Sequence, residues 1–254
     1  LDCLKEAGIV AVGTRPYEEE GEKKNDDDDD SWKYEITEKN GWRVAWIGCT
    51  NFLNTGSTAK YGMRKDELYN YVVSCKDIEP LVKKLSEKPD VDVVIVKPHF
   101  GAEFLSEHSL KQETLAKNLL DAGASAILGN HAHVMQDSEF YTTKDGRKTY
   151  IVYSIGGFLS AMGRCIPNAF HKACGVKTRS SAIIYLEFEK NAENGKAQVV
   201  SMSYVPTCEV FSRKVVGGFG GVSVRETSSV QCKNEEKYVK SRLGHQYAMH
   251  DIII

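Results

Sequence analysis

The chain has 254 residues, 41% of them hydrophobic, enough for one well-buried domain or a domain with a tail. Its formal net charge of −2, without a dominant basic patch, argues against a nucleic-acid binder. No apolar run approaches the length of a membrane span, and no signal peptide is visible in a sequence that opens with Leu1.

Residues 1–10 read as the last turns of a helix capped by Gly8, with a strand expected over 9–12. A helix without its beginning gives the expectation that the sequence is a fragment. An acidic loop follows over 15–31. Within it, nine carboxylates between Glu18 and Asp30 face only Lys23 and Lys24. Such a run repels itself and lacks apolar residues, so a solvated surface excursion is expected. Residues 42–50 alternate as a strand entered through the Asn40-Gly41 turn. Residues 56–66 are polar and turn-rich, a loop expected to cover a site. Residues 77–87 place Ile78, Leu81, Val82 and Leu85 on one helical face.

The centre of the chain is a strand–helix–strand unit over 91–134. Val91, Val93, Val94, Ile95 and Val96 make a short β-branched run of the kind buried in parallel sheets. Ser109 and Gln112 have the spacing of a capping box, and Leu115, Ala116, Leu119 and Leu120 recur at helical spacing up to a cap at Gly123. Ala126, Ile127 and Leu128 form the second strand, with a right-handed parallel crossover expected. A hairpin turned at Asp145-Gly146 follows, then a second over 181–189 and 197–205. Residues 217–221 read as a flexible glycine-rich stretch and 234–243 as a short helix.

The histidines suggest the chemistry. In an open parallel sheet, functional groups gather beyond the carboxyl ends of the strands. His99 leaves one such end, and His131 and His133 leave the other. In an extended His-x-His, alternate side chains point the same way, so both imidazoles would face one centre. Three neutral imidazoles make a partial ligand set for a transition metal, although a His-x-His pair also arises by chance. His108 and His171 read as solvated loop positions. Of the seven cysteines, Cys165 and Cys174 bracket a short loop that would pair in an oxidising compartment.

Four motifs resemble one family in order and spacing. Residues 98–104, PHFGAEF, resemble the P-H-W-G-x-E-Y of the bacterial capsule-synthesis (CapA, poly-γ-glutamate) proteins. Residues 115–124 resemble that family's L-A-x-x-L-x-D-A-G-A helix, residues 129–136 its G-N-H-P-H-V-L-Q, and residues 153–158 its Y-S-L-G-N-F. The resemblance extends over residues 1–213, leaving 214–254 as a tail. It implies an α/β, metallophosphatase-like two-sheet sandwich flanked by helices, with the N-terminal part missing. It also implies His99, His131 and His133 as metal ligands, with two divalent ions (Mn, Fe or Zn) in a site incomplete within this chain. Glu103 and Asn130 would bind substrate or anchor the loop. The family's upstream motifs, which carry its remaining ligands and catalytic histidine, cannot be read here, so the catalytic residue is unknown. Gly157 stands where the family has asparagine, and Ala132 where it has proline.

The expected function is therefore a capsule-biosynthesis-type, metal-dependent phosphoesterase or hydrolase acting on an anionic polymer or phosphoester. A protein partner would supply the missing elements, and an extracytoplasmic or membrane-associated location is implied. The alternative is an inactive assembly subunit that keeps the fold.

Overall fold

The computed structural model describes residues 2–15, 30–53, 71–160, 176–192, 194–216, 219–226 and 232–247. The β-branched runs sit where burial on both faces demands them. Strands β1 (Tyr34–Lys39), β2 (Trp42–Thr50), β3 (Val93–His99), β4 (Ala126–Leu128), β5 (Ser138–Thr142) and β6 (Lys148–Val152) form one six-stranded sheet in the order β1-β2-β3-β4-β6-β5. Its inner pairs β2–β3, β3–β4 and β4–β6 are parallel, and the edge strands β1 and β5 run antiparallel. Strands β7 (Ser180–Lys190), β8 (Ala197–Val216) and β9 (Phe219–Glu226) form a second, antiparallel sheet.

Helices α2 (Glu79–Ser86) and α3 (Leu110–Asp121) cover one face of the large sheet, after a short α1 (Asp2–Glu6). Val82, Leu85, Ala116, Leu119 and Leu120 meet Ala45, Ile47, Val94, Val96, Ile127 and Ile151 in one buried cluster. The residues of opposite parity face the other way. Tyr150 and Val152 pack on Ala182, Val199, Met202 and Tyr204 of the small sheet, and Val93 and Ile95 on Ala197. The order is thus helices, large sheet, small sheet. This is the mixed α/β, two-sheet architecture expected, and period-two alternation of the central strands produces it.

Local signals placed most elements. Ser109 caps α3 as a full capping box with Gln112, and Gly123 leaves the helix at φ 127°. Residues 9–12 are a correction: they form no strand, and Ile9 and Val10 are exposed. Pairing begins only beyond it, where the Gly13 amide donates to the Trp32 carbonyl at 3.1 Å and Thr14 bridges Val72. A Cβ on Gly13 would stand 2.2 Å from the carbonyl oxygen of Gly48, so the two backbones touch. The glycine-rich stretch is corrected in part: Phe219 and Gly220 pair with Val216 and Val215, and residues 217 and 218 lie outside the described residues.

Position 213 lies within β8, and α5 (Lys233–Leu243) buries Val239 and Leu243 against the second core. A short α4 (Val176–Arg179) precedes β7. Two disulfides, Cys49–Cys75 and Cys208–Cys232, join segments that the sequence left unpaired. Cys165, Cys174 and His171 lie outside the described residues, as do the 56–66 loop and the acidic run up to Asp29. Asp30 itself pairs with Lys33 at 2.8 Å and Lys84 at 2.9 Å; hydrogen bonding to Lys33, then to Lys84, lowers its pKa. No helix among the described residues is long and apolar enough to cross a membrane.

Candidate metal centre

The parallel register brings the histidines to one rim. Ile95 pairs with Ala126 and Val96 with Ile127. The ladder resumes past the end of β4, where the Asn130 amide donates to the Pro98 carbonyl and the Phe100 amide to the Asn130 carbonyl, both at 3.0 Å. His99 is thereby fixed beside Asn130, one residue from His131. The rings of His99 and His131 lie 4.4 Å apart, centroid to centroid.

The His-x-His segment is not extended. His131 has φ 109° and His133 φ 57°, backbone that non-glycine residues seldom adopt. The expected reason for convergence, alternation along a strand, is therefore corrected: a tight bend turns both rings inward. Such strain costs on the order of 1–3 kcal/mol per residue and persists only where the surroundings over-determine it. Here one determinant is the Asn130 carboxamide, whose Oδ1 accepts from the His131 amide at 2.9 Å. Asn130 thus anchors the loop. Gly129 permits the approach to β6, since a Cβ there would meet the Tyr153 carbonyl at 2.2 Å.

Glu103 completes the group. One donor atom each from Glu103, His131 and His133 lies within 4.8 Å of the others, and Glu103 Oε1 stands 3.6 Å from His133 Nε2. A carboxylate and two imidazoles are a donor set that suits a transition ion, so these residues can hold a metal. Phe104 stacks on His133 and Phe52 tilts against His131, at 5.6 and 4.7 Å between centroids. Burial pulls the pKa of His99 down to about 4, with further lowering by His131 and His133 against the pull of Glu103. Burial also lowers His131. Imidazoles kept neutral are ready to ligate.

The ties beneath this rim run through Gln136, the last residue of the 129–136 motif, and Gln112 of the capping box, neither of which the sequence singled out for the site. The Phe104 amide donates to the Ala132 carbonyl at 2.7 Å. Gln136, fully buried, donates from Nε2 to the carbonyls of Leu105 at 3.0 Å and Glu107 at 3.1 Å. Its Oε1 accepts from Gln112 Nε2 at 2.9 Å. The available signal was its place as the glutamine that closes the 129–136 motif. His108 is not a solvated surface residue: its Nδ1 lies 2.8 Å from Asp137 Oδ1 and its ring stacks on Tyr153 at 3.8 Å. A cleft of about 560 Å³ lined by Val12, Glu35, Thr37, Trp46 and Lys97 contains none of the metal donors.

Comparison with known proteins places the chain. Residues 1–162 match the model of the family described as bacterial capsule synthesis protein PGA_cap. The chain belongs to that family. It is similar to the capsule biosynthesis protein CapA of Bacillus anthracis, 30% identical over 158 residues, which cover 60% of this chain and 33% of the relative. It is also similar to the PGA biosynthesis protein CapA of Bacillus subtilis (strain 168), 30% identical over 160 residues, 63% of this chain and 36% of the relative. These alignments span about a third of the relatives' length. Among solved structures, a novel phosphatase from Mycoplasma pneumoniae aligns at TM-score 0.41 and 15% identity, covering 68% of this chain and 56% of the other. A hypothetical protein from Thermus thermophilus aligns at 0.37 and 19%, covering 68% and 61%. Both likenesses are too low to bear on the site's chemistry. The family match includes the three donors, the neighbouring His99, and Asn130, Gln112 and Gln136, and stops short of β7.

Proposed function

We propose that this chain is the metal-binding part of a capsule-biosynthesis protein of the poly-γ-glutamate type, a hydrolase or phosphoesterase acting on an anionic polymer or phosphoester. One observation carries the reading: the convergence of Glu103, His131 and His133 beside His99 at the end of two parallel strands. Manganese, iron or zinc fits these donors, and such an ion would polarise an oxygen of the substrate and activate water. Glu103, His131 and His133 would hold the ion, with His99 closing the same rim. The three convergent groups serve one ion; a second would draw on donors beyond them. The relatives' names supply the capsule context, and the two disulfides support an oxidising compartment.

The test is metal content of the natural full-length protein after exhaustive dialysis, with hydrolysis of a model phosphoester and of a γ-glutamyl polymer measured in parallel. Bound transition metal should disappear in His131→Ala and Glu103→Gln while the fold, followed by circular dichroism, persists. A well-folded protein that retains no metal would overturn the reading in favour of an assembly subunit.

A further inference from the structure

We propose that Gln136 is a positioning residue for the metal centre, and that it sets the reach of Glu103 to the two histidines. The inference rests on the metal reading above. Glu103 lies on the segment between β3 and α3, whereas His131 and His133 lie on the segment after β4. Nothing covalent joins the two segments near the site, so their separation is set by contacts between them.

Gln136 makes the central contact. It is fully buried, and both hydrogens of its amide are committed, to the carbonyls of Leu105 and Glu107, two and four residues beyond Glu103. Its own carbonyl oxygen accepts from Gln112, whose Oε1 in turn accepts from the Ser109 amide at 3.0 Å at the start of α3. One side chain therefore ties the histidine segment, the glutamate segment and the helix start together. Each carboxamide group has its partner, which makes the network rigid. The Phe104-to-Ala132 backbone bond closes the other end of the same seam, between the two histidines. Gly101 gives the amide of Gln112 its place, since a Cβ there would meet Gln112 Nε2 at 2.6 Å. A leucine at 136 would match the volume but leave the Leu105 and Glu107 carbonyls and the Gln112 amide facing an apolar group.

Gln136→Leu in the full-length protein should weaken binding of Co²⁺ or Zn²⁺ by about 10-fold to 100-fold, the usual scale for residues that orient ligands. It should also alter the visible absorption of bound Co²⁺. The decisive readout is a double-mutant cycle. Glu103→Gln should lower affinity strongly in the wild-type background and little in Gln136→Leu, because the carboxylate is already out of reach. If Gln136→Leu folds poorly, Gln112→Leu, which removes one partner and leaves both Gln136 donors in place, should show the same coupling at smaller size. Wild-type affinity and an unchanged Co²⁺ spectrum in both variants would overturn the proposal. Additive losses with Glu103→Gln would also overturn it, by making the role merely structural. Failure of the wild type to bind any ion would refute the metal reading itself.

Discussion

The interior between helices and sheets and the rim at the ends of β3 and β4 are built on opposite terms. In the interior, Val94, Val96, Leu119 and Ile127 are interchangeable in kind; what counts is apolar volume at the right period. At the rim, the Asn130 carboxamide holds the His131 amide at φ 109°, Gln136 and Gln112 tie the neighbouring segments, and an apolar side chain of similar size makes none of these bonds. The interior holds the fold because burial is cooperative and non-directional. The rim acts as a site because its bonds are directional, and its strain is borne by the interior beneath it.

That contrast predicts effects of very different size. Leu119→Ala should cost about 2–5 kcal/mol, read as a lower midpoint in urea, because it opens a cavity between α3 and the sheet. The metal-binding stoichiometry of the folded fraction should not change; a changed stoichiometry would show that interior and rim are not separable. Cys208→Ser should cost about 2–4 kcal/mol by freeing α5 from β8 in the unfolded ensemble, and thermal melts under oxidising conditions check it. That loss also should spare the metal centre, which lies in the other sheet.

The rim responds the other way. His133→Gly should abolish metal retention while moving metal-free stability by no more than about 1 kcal/mol. Relief of the left-handed backbone offsets the added flexibility of the unfolded chain. A large loss of metal-free stability would mean that the bend is part of the core after all.

The smallest effect is on pH dependence. His99 is held at about 4, below its ordinary 6.5, so the unfolded chain takes up the proton first. Stability linked to the neutral ring is fully present above pH 6.5, declines as pH falls to about 4, and levels off below. His99→Gln should flatten that slope in metal-free protein. Metal affinity should hold through most of that window and decline only as pH falls through the lowered range of the folded rings, near 4 for His99, where protons begin to compete for the same nitrogens.

Legibility in the sequence follows the same division. The strand over 42–50, the strand over 126–128 and the capped helix from Ser109 to Gly123 were readable because their determinants lie within a few residues of each other. So was the meeting of His99 with His131, because parallel strands have their carboxyl ends on one rim. The expected extended His-x-His was not the geometry that forms. A positive φ at a histidine has no local signature when the contacts imposing it come from residues elsewhere in the chain. The strand expected over 9–12 failed for a related reason: its apolar residues fit a strand, but Ile9 and Val10 stay exposed and backbone pairing starts only at Gly13 and Thr14.

The sequence by itself determined the family, the parallel core and the histidines at its end, since periodicity, caps and motifs are local properties of the chain. Only the tertiary structure decided that Glu103 joins His131 and His133, that Gln136 ties their segments, and that Cys49 pairs with Cys75 and Cys208 with Cys232. Each of these depends on distances between segments that composition does not encode. Packing of the sheet against its helices sets those distances.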